Sequence, residues 1–420
     1  MASTSGRDAA LDLWFARAAE WPVAVLPDYD GGSNASLPAS ITTAFDIPPG
    51  GAGPALLPPL RRELLDSSLI AGARVIVLLV LDGLGSLRLD DALADGRVTR
   101  LGTSQHAATL TTVFPSTTAA ALTSLQTGTP PGVHGMAGYT LYLPAQRCVA
   151  NMITWKATGG VEPVVPLPEP RSFLNGANIY RRLHAHGVES THISRNVFAG
   201  SPLTEAQAHG VPFAGHRSLA ELVKQIRTHA ARPGRRFIFG YWDGFDALGH
   251  AYGSDSDACD LELRLIDLAL GEGLLDPLAD EADDVALIIT ADHGHHEMPA
   301  ERRIDLAEIP GLVERWSHRP TGEQRAAGLR LTDAADRQRI EQHVGDRMAV
   351  LDVQAAIAAG LFGRGELHPE LLARIGDTLL LARDDSSVAY PGSSQQSIGG
   401  HGSLTAAEML VPLLVWRFRR

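Results

Sequence analysis

The sequence predicts an α/β fold with a mostly parallel central sheet flanked by helices. Three apolar segments carry this prediction, at residues 74–81, 236–243 and 284–292. Uninterrupted apolar runs are typical of strands that are buried on both faces of a parallel sheet. Between the second and third segments, residues 256–270 place Leu and Ile at helical spacing. Strand and helix therefore alternate along the chain, as they do in α/β proteins.

Acidic residues stand at the ends of these predicted strands. Asp82 follows the first segment, and Asp243 and Asp292 end the second and the third. In open α/β sheets, ligands bind just beyond the carboxyl ends of the strands. We therefore expect a functional site at this edge of the sheet.

We expect a single domain over residues 1–420 that carries two insertions. Residues 140–234 and 299–395 do not continue the simple alternation of strands and helices. We predict that 140–234 forms an inserted cap lobe and that 299–395 forms a second, smaller insertion. Local patterns predict four further elements, namely a helix over 9–20, a strand over 23–26, a loop over 48–59 and a helix over 333–348.

Composition excludes several classes of protein. A formal net charge of -12 argues against a partner such as duplex nucleic acid, whose binders carry a basic face. The two cysteines, Cys148 and Cys259, cannot form a disulfide framework or a thiolate zinc site. The amino terminus lacks a signal-like apolar core, and no apolar run approaches the roughly 20 residues that span a bilayer. We expect a cytoplasmic protein without a membrane partner.

Carboxylates and imidazoles recur in patterns that suit metal binding. Asp246 and His250 are four residues apart, so one helical turn would place both on one face. Asp292 and His293 are adjacent at a strand end, and His401 lies in a Gly-rich turn. Each histidine alone is as well explained by a structural role. The mixed set suits two divalent ions, zinc or manganese rather than calcium.

A hydroxyl-rich segment, residues 109–125, offers a nucleophile. Pro115 is followed by Ser116, Thr117 and Thr118, and then by an alanine-rich stretch that predicts a helix. The free N–H groups at the start of a helix bind anions. We expect one of these hydroxyls to cap the helix and another to react.

Taken together, these motifs resemble the alkaline phosphatase superfamily, most closely its nucleotide pyrophosphatase/phosphodiesterase branch. The resemblance rests on six segments in family order, at residues 81–83, 115–128, 131–135, 241–250, 291–294 and 400–402. It implies an alkaline phosphatase-like mixed, mostly parallel sheet with an inserted cap. It also implies a two-metal hydrolase of phosphate esters whose substrate is a small molecule, possibly one that contains a nucleotide.

The resemblance assigns roles residue by residue. The reactive residue of the family lies ten positions before the Gly of a Thr-Gly pair, which gives Thr118, with Thr117 as the alternative. One metal would be held by Asp246, His250 and His401, and the other by Asp82, Thr118, Asp292 and His293. The implied mechanism is attack by Thr118 on phosphorus through a phosphothreonine intermediate.

One departure from the family leaves the substrate open. The Asn expected three residues after the nucleophile, which would steady a phosphate oxygen, is Ala121 here. Arg195 and Asn196 are candidate substitutes for this substrate contact. A phosphodiesterase is favoured, a phosphomonoesterase or phosphomutase is the alternative, and a non-catalytic metal-stabilised binding protein is the alternative of another class. His295 and His296 are expected to face solvent or other protein groups rather than metal.

Overall fold

The structure is a computed structural model that describes residues 21, 24–48, 50, 54–176, 178–333, 335–393 and 397–419. Within these ranges the strands are β1 Val75–Leu81, β2 His106–Thr111, β3 Thr140–Leu143, β4 Cys148–Asn151, β5 Lys156–Ala157, β6 Glu189–Arg195, β7 Phe213–His216, β8 Arg236–Trp242, β9 Val285–Thr290, β10 His296–Glu297, β11 Arg303–Asp305, β12 Thr321–Gly322, β13 Ala326–Leu329, β14 Met348–Asp352, β15 Thr378–Ala382, β16 Ser387–Ala389, β17 Gly399–Gly400 and β18 Leu410–Phe418.

The described helices flank these strands. They are α1 Leu37–Ala44, α2 Ser86–Ala94, α3 Thr118–Thr127, α4 Pro131–His134, α5 Ile179–Ala185, α6 Pro202–Ala208, α7 Leu219–Ala230, α8 Gly244–Tyr252, α9 Asp257–Leu270, α10 Asp276–Glu281, α11 Ala335–Val344, α12 Val353–Ala359, α13 Leu371–Ile375 and α14 Ala406–Met409. The helix expected over 9–20 lies outside the described residues. None of the described helices is long and apolar enough to cross a membrane.

The central sheet has seven strands in the order β2-β18-β9-β1-β8-β6-β7. Strand β18 is antiparallel to both of its neighbours, and the other strands run in one direction. All seven residues of β1 are buried, as expected for a strand between two parallel partners. The prediction of an α/β fold with a mostly parallel sheet is confirmed.

The register of the three middle strands fixes the position of the site. Leu81 of β1 pairs with Trp242 of β8, and Val80 pairs with Thr290 of β9. The acidic residues that follow these strands therefore meet at one edge of the sheet. The short antiparallel pair β10 and β17 joins two more segments at this edge, with His296 opposite Gly400.

The predicted extent of the cap lobe over 140–234 is wrong in its second half. Strands β6 and β7 belong to the central sheet, where β6 pairs with β8 in parallel. Only the first part of the interval forms a separate sheet, β3-β4-β5. The sequence analysis did not predict β6 as a strand because most of its residues are polar. Thr191 lies 3.2 Å from His229 Nδ1, and His192 Nδ1 lies 3.3 Å from the hydroxyl of Tyr180, so these buried polar groups have partners.

Residues 299–395 build two sheets outside the central one. They are the four-stranded sheet β12-β13-β15-β14 and the pair β11 and β16. The helix expected over 333–348 is α11, which ends at Val344, and Met348 already begins β14. The description of this interval as the smaller of two insertions remains a prediction.

Two short local predictions fall near the amino terminus. Residues 24–26 form no strand, and the N–H of Val25 instead donates to the carbonyl of Leu404. The described part of 48–59 forms neither a helix nor a strand, as expected for a loop.

Candidate metal centre and nucleophile

The first group of candidate ligands lies at the ends of β1 and β9. His293 Nε2 is 3.4 Å from Asp82 Oδ1 and 3.4 Å from Asp292 Oδ2. All three side chains are buried. Asp292 Oδ1 accepts hydrogen bonds from the N–H groups of Gly83 and His293, and Tyr241 donates its hydroxyl to Asp82 Oδ2. These bonds orient one oxygen of each carboxylate and leave the other facing the centre of the group.

The second group forms around Asp246 on the first turn of α8. His250 Nε2 is 3.4 Å from Asp246 Oδ2, and His401 Nε2 is 3.7 Å from Asp246 Oδ1. The Nε2 atoms of His250 and His401 are 3.2 Å apart. The rings of His293 and His401 stack with centroids 3.7 Å apart, so the two groups are contiguous. The structure thus brings together all six Asp and His residues that the sequence marked as candidate ligands.

Three of the histidines are oriented through their other ring nitrogen. The Nδ1 atoms of His250, His293 and His401 lie 3.0, 2.9 and 2.9 Å from the backbone carbonyl oxygens of Gly399, Gly294 and Ser116. Because a carbonyl only accepts, Nδ1 carries the proton and Nε2 keeps its lone pair. This arrangement is typical of histidines that bind a metal through Nε2.

The chemistry of the donor set fits divalent cations. Asp82 Oδ1, Asp246 Oδ1 and Asp292 Oδ2 are buried without a hydrogen-bond partner. Burial, followed by the charges of Asp292 and Asp246, holds the pKa of Asp82 well above its usual range. Burial and then His293 hold the pKa of His401 well below its usual range. Crowded carboxylates with unpaired oxygens are stabilised when cations lie between them.

His295 lies beside the second group, where its neighbour Asp246 is one of the other protein groups that the sequence analysis expected it to face. Its ring is buried, its Nε2 lies 3.3 Å from Asp246 Oδ1, and neither ring nitrogen has a hydrogen-bond partner. A Cβ atom at Gly249 would lie 2.9 Å from Nε2, and one at Gly399 would lie 2.8 Å from Cε1. The two glycines therefore make room for this ring. Its position two residues after His293 was the available signal. His296, by contrast, is partly exposed.

The two candidate nucleophiles point in different directions. Thr118 Oγ1 is 3.0 Å from His293 Nε2, whereas Thr117 donates its hydroxyl to Glu323 Oε1. Thr118 is the first residue of α3, where the helix dipole and free N–H groups favour a negatively charged ligand. The geometry therefore favours Thr118. Burial and, more weakly, the charge of Asp246 raise the pKa of Glu323 to about 8.

A cavity of about 420 Å³ opens onto this centre. Its inner end is formed by Thr118, Asp246, His250 and His401. Its outer wall comes mainly from the sheets β3-β4-β5 and β12-β13-β15-β14 and from the loops beside them. The polar side chains that line this wall are Thr117, Tyr139, Thr140, Asn151, Thr158, Arg319, Glu323, Gln324, Tyr390, Ser393 and Ser397. The cavity is large enough for a small organic phosphate.

Arg195 and Asn196 are not among the described residues that line this cavity. Arg195 forms an ion pair with Asp243, and its guanidinium lies 5.1 Å from the centre of the Trp242 ring. Asn196 packs against Gly215. The structure therefore removes both residues from the substrate contact for which the sequence proposed them. Their partners, Asp243 and Gly215, were not recognisable from local sequence.

The Ala121 side chain does not line the cavity either. It is fully buried in a small apolar cluster with Ala35, Val113 and Ala120. A side chain at this position faces the core rather than the phosphate. The burial of Ala121 therefore argues against the expectation that an Asn at this position would contact a phosphate oxygen.

Comparison with known proteins agrees with this geometry. Residues 76–404 match the family described as type I phosphodiesterase / nucleotide pyrophosphatase. The chain belongs to this family. Membership of the type I phosphodiesterase / nucleotide pyrophosphatase family supports the assignment of this chain to the phosphoester hydrolases.

Individual relatives of this family member are distant. The alkaline phosphatase PhoK of a Sphingomonas species is 27% identical over an alignment of 212 residues, and the match covers 41% of this chain and 37% of that relative. The solved murine ectonucleotide pyrophosphatase/phosphodiesterase 5 is 17% identical and covers 82% of this chain and 88% of its own, with a TM-score of 0.63. Phosphonoacetate hydrolase of Sinorhizobium meliloti 1021 is 20% identical and covers 82% of this chain and 90% of its own, with a TM-score of 0.59. These two structures establish a shared fold.

Proposed function

We propose that the chain is a two-metal hydrolase of phosphate esters, with diesters preferred, that acts through a phosphothreonine at Thr118. The observation that carries the proposal is the position of Thr118 Oγ1, 3.0 Å from His293 Nε2 at the amino end of α3. This hydroxyl lies against a group of buried carboxylates and imidazoles and lines the cavity that a substrate would enter.

Two divalent ions would be held by the residues described above. Asp82, Thr118, Asp292 and His293 would bind one, and Asp246, His250 and His401 would bind the other. Zinc is favoured because imidazole and carboxylate suit it, and manganese is possible. When bound, such ions lower the pKa of a hydroxyl nucleophile and balance the charge of the phosphate.

The protein groups then perform a double displacement. Thr118 Oγ1 loses its proton and attacks phosphorus, the new O–P bond forms, and the P–O bond to the leaving oxygen breaks in line with it. The leaving oxygen takes up a proton and departs as the alcohol. The amino end of α3 orients the phosphoryl oxygens through its N–H groups. Water then attacks phosphorus, the bond to Thr118 breaks, and the hydroxyl is restored. A diester yields a monoester and an alcohol by these two steps.

Two relatives bear on the choice of ester. The murine phosphodiesterase 5 has also been solved as an inactive threonine-to-alanine variant in complex with AMP, which supports a threonine nucleophile and a nucleotide-containing ester. The match to an alkaline phosphatase favours the second candidate, a phosphomonoesterase on the same scaffold. A location in the cytoplasm remains a prediction.

The test compares a chromogenic phosphodiester with the matching monoester, in zinc and in manganese. We expect the native chain to hydrolyse the diester with the higher kcat/KM. Thr118→Ala should lose turnover by orders of magnitude. It should keep two metals per chain by elemental analysis, because Asp82, Asp292 and His293 remain as ligands of the metal that Thr118 would contact. Acid quenching during turnover should trap a phosphoryl group on the peptide that contains Thr118.

Thr117→Val is the matched control, because Thr117 is adjacent and contacts Glu323 instead of the histidine. If Thr118→Ala remains active and Thr117→Val is inactive, the nucleophile is Thr117. Preference for the monoester would establish the second candidate. Metal binding without turnover of either ester would favour a non-catalytic metal-stabilised protein, and failure to bind two metals would reject the proposal.

A further inference from the structure

The outer wall of the cavity carries one basic side chain. Arg319 is the single Lys or Arg among the described residues that line it. The side chain lies just before β12, and Glu323, which accepts a hydrogen bond from Thr117, lies just after it. The guanidinium of Arg319 contacts Pro391 and Tyr390 and lies beside Gly159 and Gly392. None of these residues is a candidate metal ligand or nucleophile, so Arg319 belongs to a different part of the cavity wall.

The Arg319 guanidinium is held in a slot between two loops. Its Nη2 donates to the carbonyl of Pro391 at 2.5 Å, and the group lies 5.9 Å from the centre of the Tyr390 ring. A Cβ atom at Gly159 would lie 2.6 Å from Nη1, and one at Gly392 would lie 2.5 Å from Nη2. Both glycines have positive φ, at 69° and 80°. The loops on both sides therefore leave space that any larger residue would fill.

Arg319 has no acidic partner in the described part of the chain, where no carboxylate oxygen lies within 4.0 Å of its guanidinium. Neighbouring arginines of the same region are paired. Arg302 contacts Asp384 and Asp385, and Arg330 contacts Asp377. The chain has a net charge of -12, and most arginines of this region have an acidic partner. Arg319 differs from them because it lines the cavity and no carboxylate that the structure describes contacts its guanidinium. Its planar fork matches a carboxylate or a phosphate.

We propose that Arg319 binds a second anionic group, a carboxylate or a phosphate, at the end of the substrate remote from the scissile phosphate. This inference rests on the proposed function and narrows its substrate class. The substrate is then a phosphate ester that carries one anionic group for the metal centre and another for Arg319. The cavity of about 420 Å³ accommodates a molecule that spans these two positions.

The test uses 4-nitrophenyl phosphodiesters whose second alcohol ends in a methyl, a carboxylate or a phosphate group, with linkers of graded length. For the native chain we expect kcat/KM to be at least about tenfold higher for an anionic terminus than for methyl, the factor expected of a charge-assisted hydrogen bond. The gain should appear mainly in KM. Comparison of the carboxylate and phosphate arms identifies the anion.

Arg319→Met should reduce this ratio to near one, and Arg319→Lys should restore part of it. Arg330→Met is the matched control, because Arg330 belongs to the same region but does not line the cavity. An equal ratio in the native chain and in Arg319→Met would overturn the inference while the proposed function stood. If no ester is hydrolysed, the proposed function fails. The role of Arg319 is then tested separately, by calorimetric measurement of the affinity for the corresponding non-hydrolysable phosphonates. Equal affinity of native and Arg319→Met for anionic and methyl forms would overturn the role of Arg319.

Discussion

The buried ion pair between Arg325 and Glu408 supports the two loops that carry His293 and His401, two of the proposed metal ligands. Arg325 donates to both carboxylate oxygens, at 2.7 and 2.9 Å, and Nη1 donates to the carbonyl of Ser386 at 2.8 Å. Both side chains are fully buried. The Glu408 carboxylate also accepts the N–H of Ser403, and its backbone carbonyl accepts the N–H of Gly294. These partners lie close in sequence to His401 and His293.

Arg325→Met should lower the free energy of unfolding by about 3–5 kcal/mol, because it leaves the Glu408 carboxylate buried without its cation. The assay is urea unfolding after chelation, so that bound metal does not mask the loss. Arg330→Met removes a half-exposed pair with Asp377 at 3.7 Å and should cost about 0–1 kcal/mol. Arg325→Met/Glu408→Gln should recover part of the loss, because no buried charge remains.

The contribution of the ion pair between Arg325 and Glu408 to the free energy of unfolding should decrease as the pH falls. Burial alone would raise the pKa of Glu408, but Arg325 outweighs it and the pKa lies below its ordinary value. A carboxylate with a lowered pKa contributes stability at neutral pH and loses it as pH falls through the folded-state pKa. The difference between native and Arg325→Met should therefore shrink in acid. A loss below about 1 kcal/mol at neutral pH, or no recovery in the double variant, would refute the reasoning.

Three further outcomes are expected. His295→Asn should weaken metal affinity about 10- to 100-fold through its contact with Asp246, measured by competition with a chelating dye; unchanged affinity would assign the ring to packing alone. Burial, then His368 and Arg374, lower the pKa of His134 to about 3. Below about pH 6.5 the unfolded chain takes up a proton at this ring while the folded chain does not, so the free energy of unfolding declines. Between pH 7 and 5, His134→Gln should lose about 2 kcal/mol less unfolding free energy than the native chain, and parallel losses would contradict this. Ala121→Asn should cost about 1–3 kcal/mol by overpacking and leave the diester-to-monoester ratio unchanged, whereas a rise in that ratio would place this side chain at the phosphate.

The sequence by itself predicted the middle of the fold and the residues of the candidate metal centre. Strands β1 and β9 are recognisable because all of their residues are buried and all except Thr290 are apolar, a property that the local sequence expresses directly. Asp82 and Asp292 follow such strands, and parallel strands bring their carboxyl ends to one edge whatever the rest of the chain does. These candidate ligands could therefore be predicted before the distances between them were known.

Only the tertiary structure decided which polar residues surround that centre. Strand β6 is buried with polar side chains because Tyr180 and His229 satisfy them from other elements, so no local pattern marked it as a strand. Arg195 is paired with Asp243, while Arg319 has no carboxylate beside it among the described residues. Hydrogen bonding and charge pairing depend on partners that are distant in sequence. The composition of a segment therefore cannot reveal whether its charge is already neutralised or is available to a substrate.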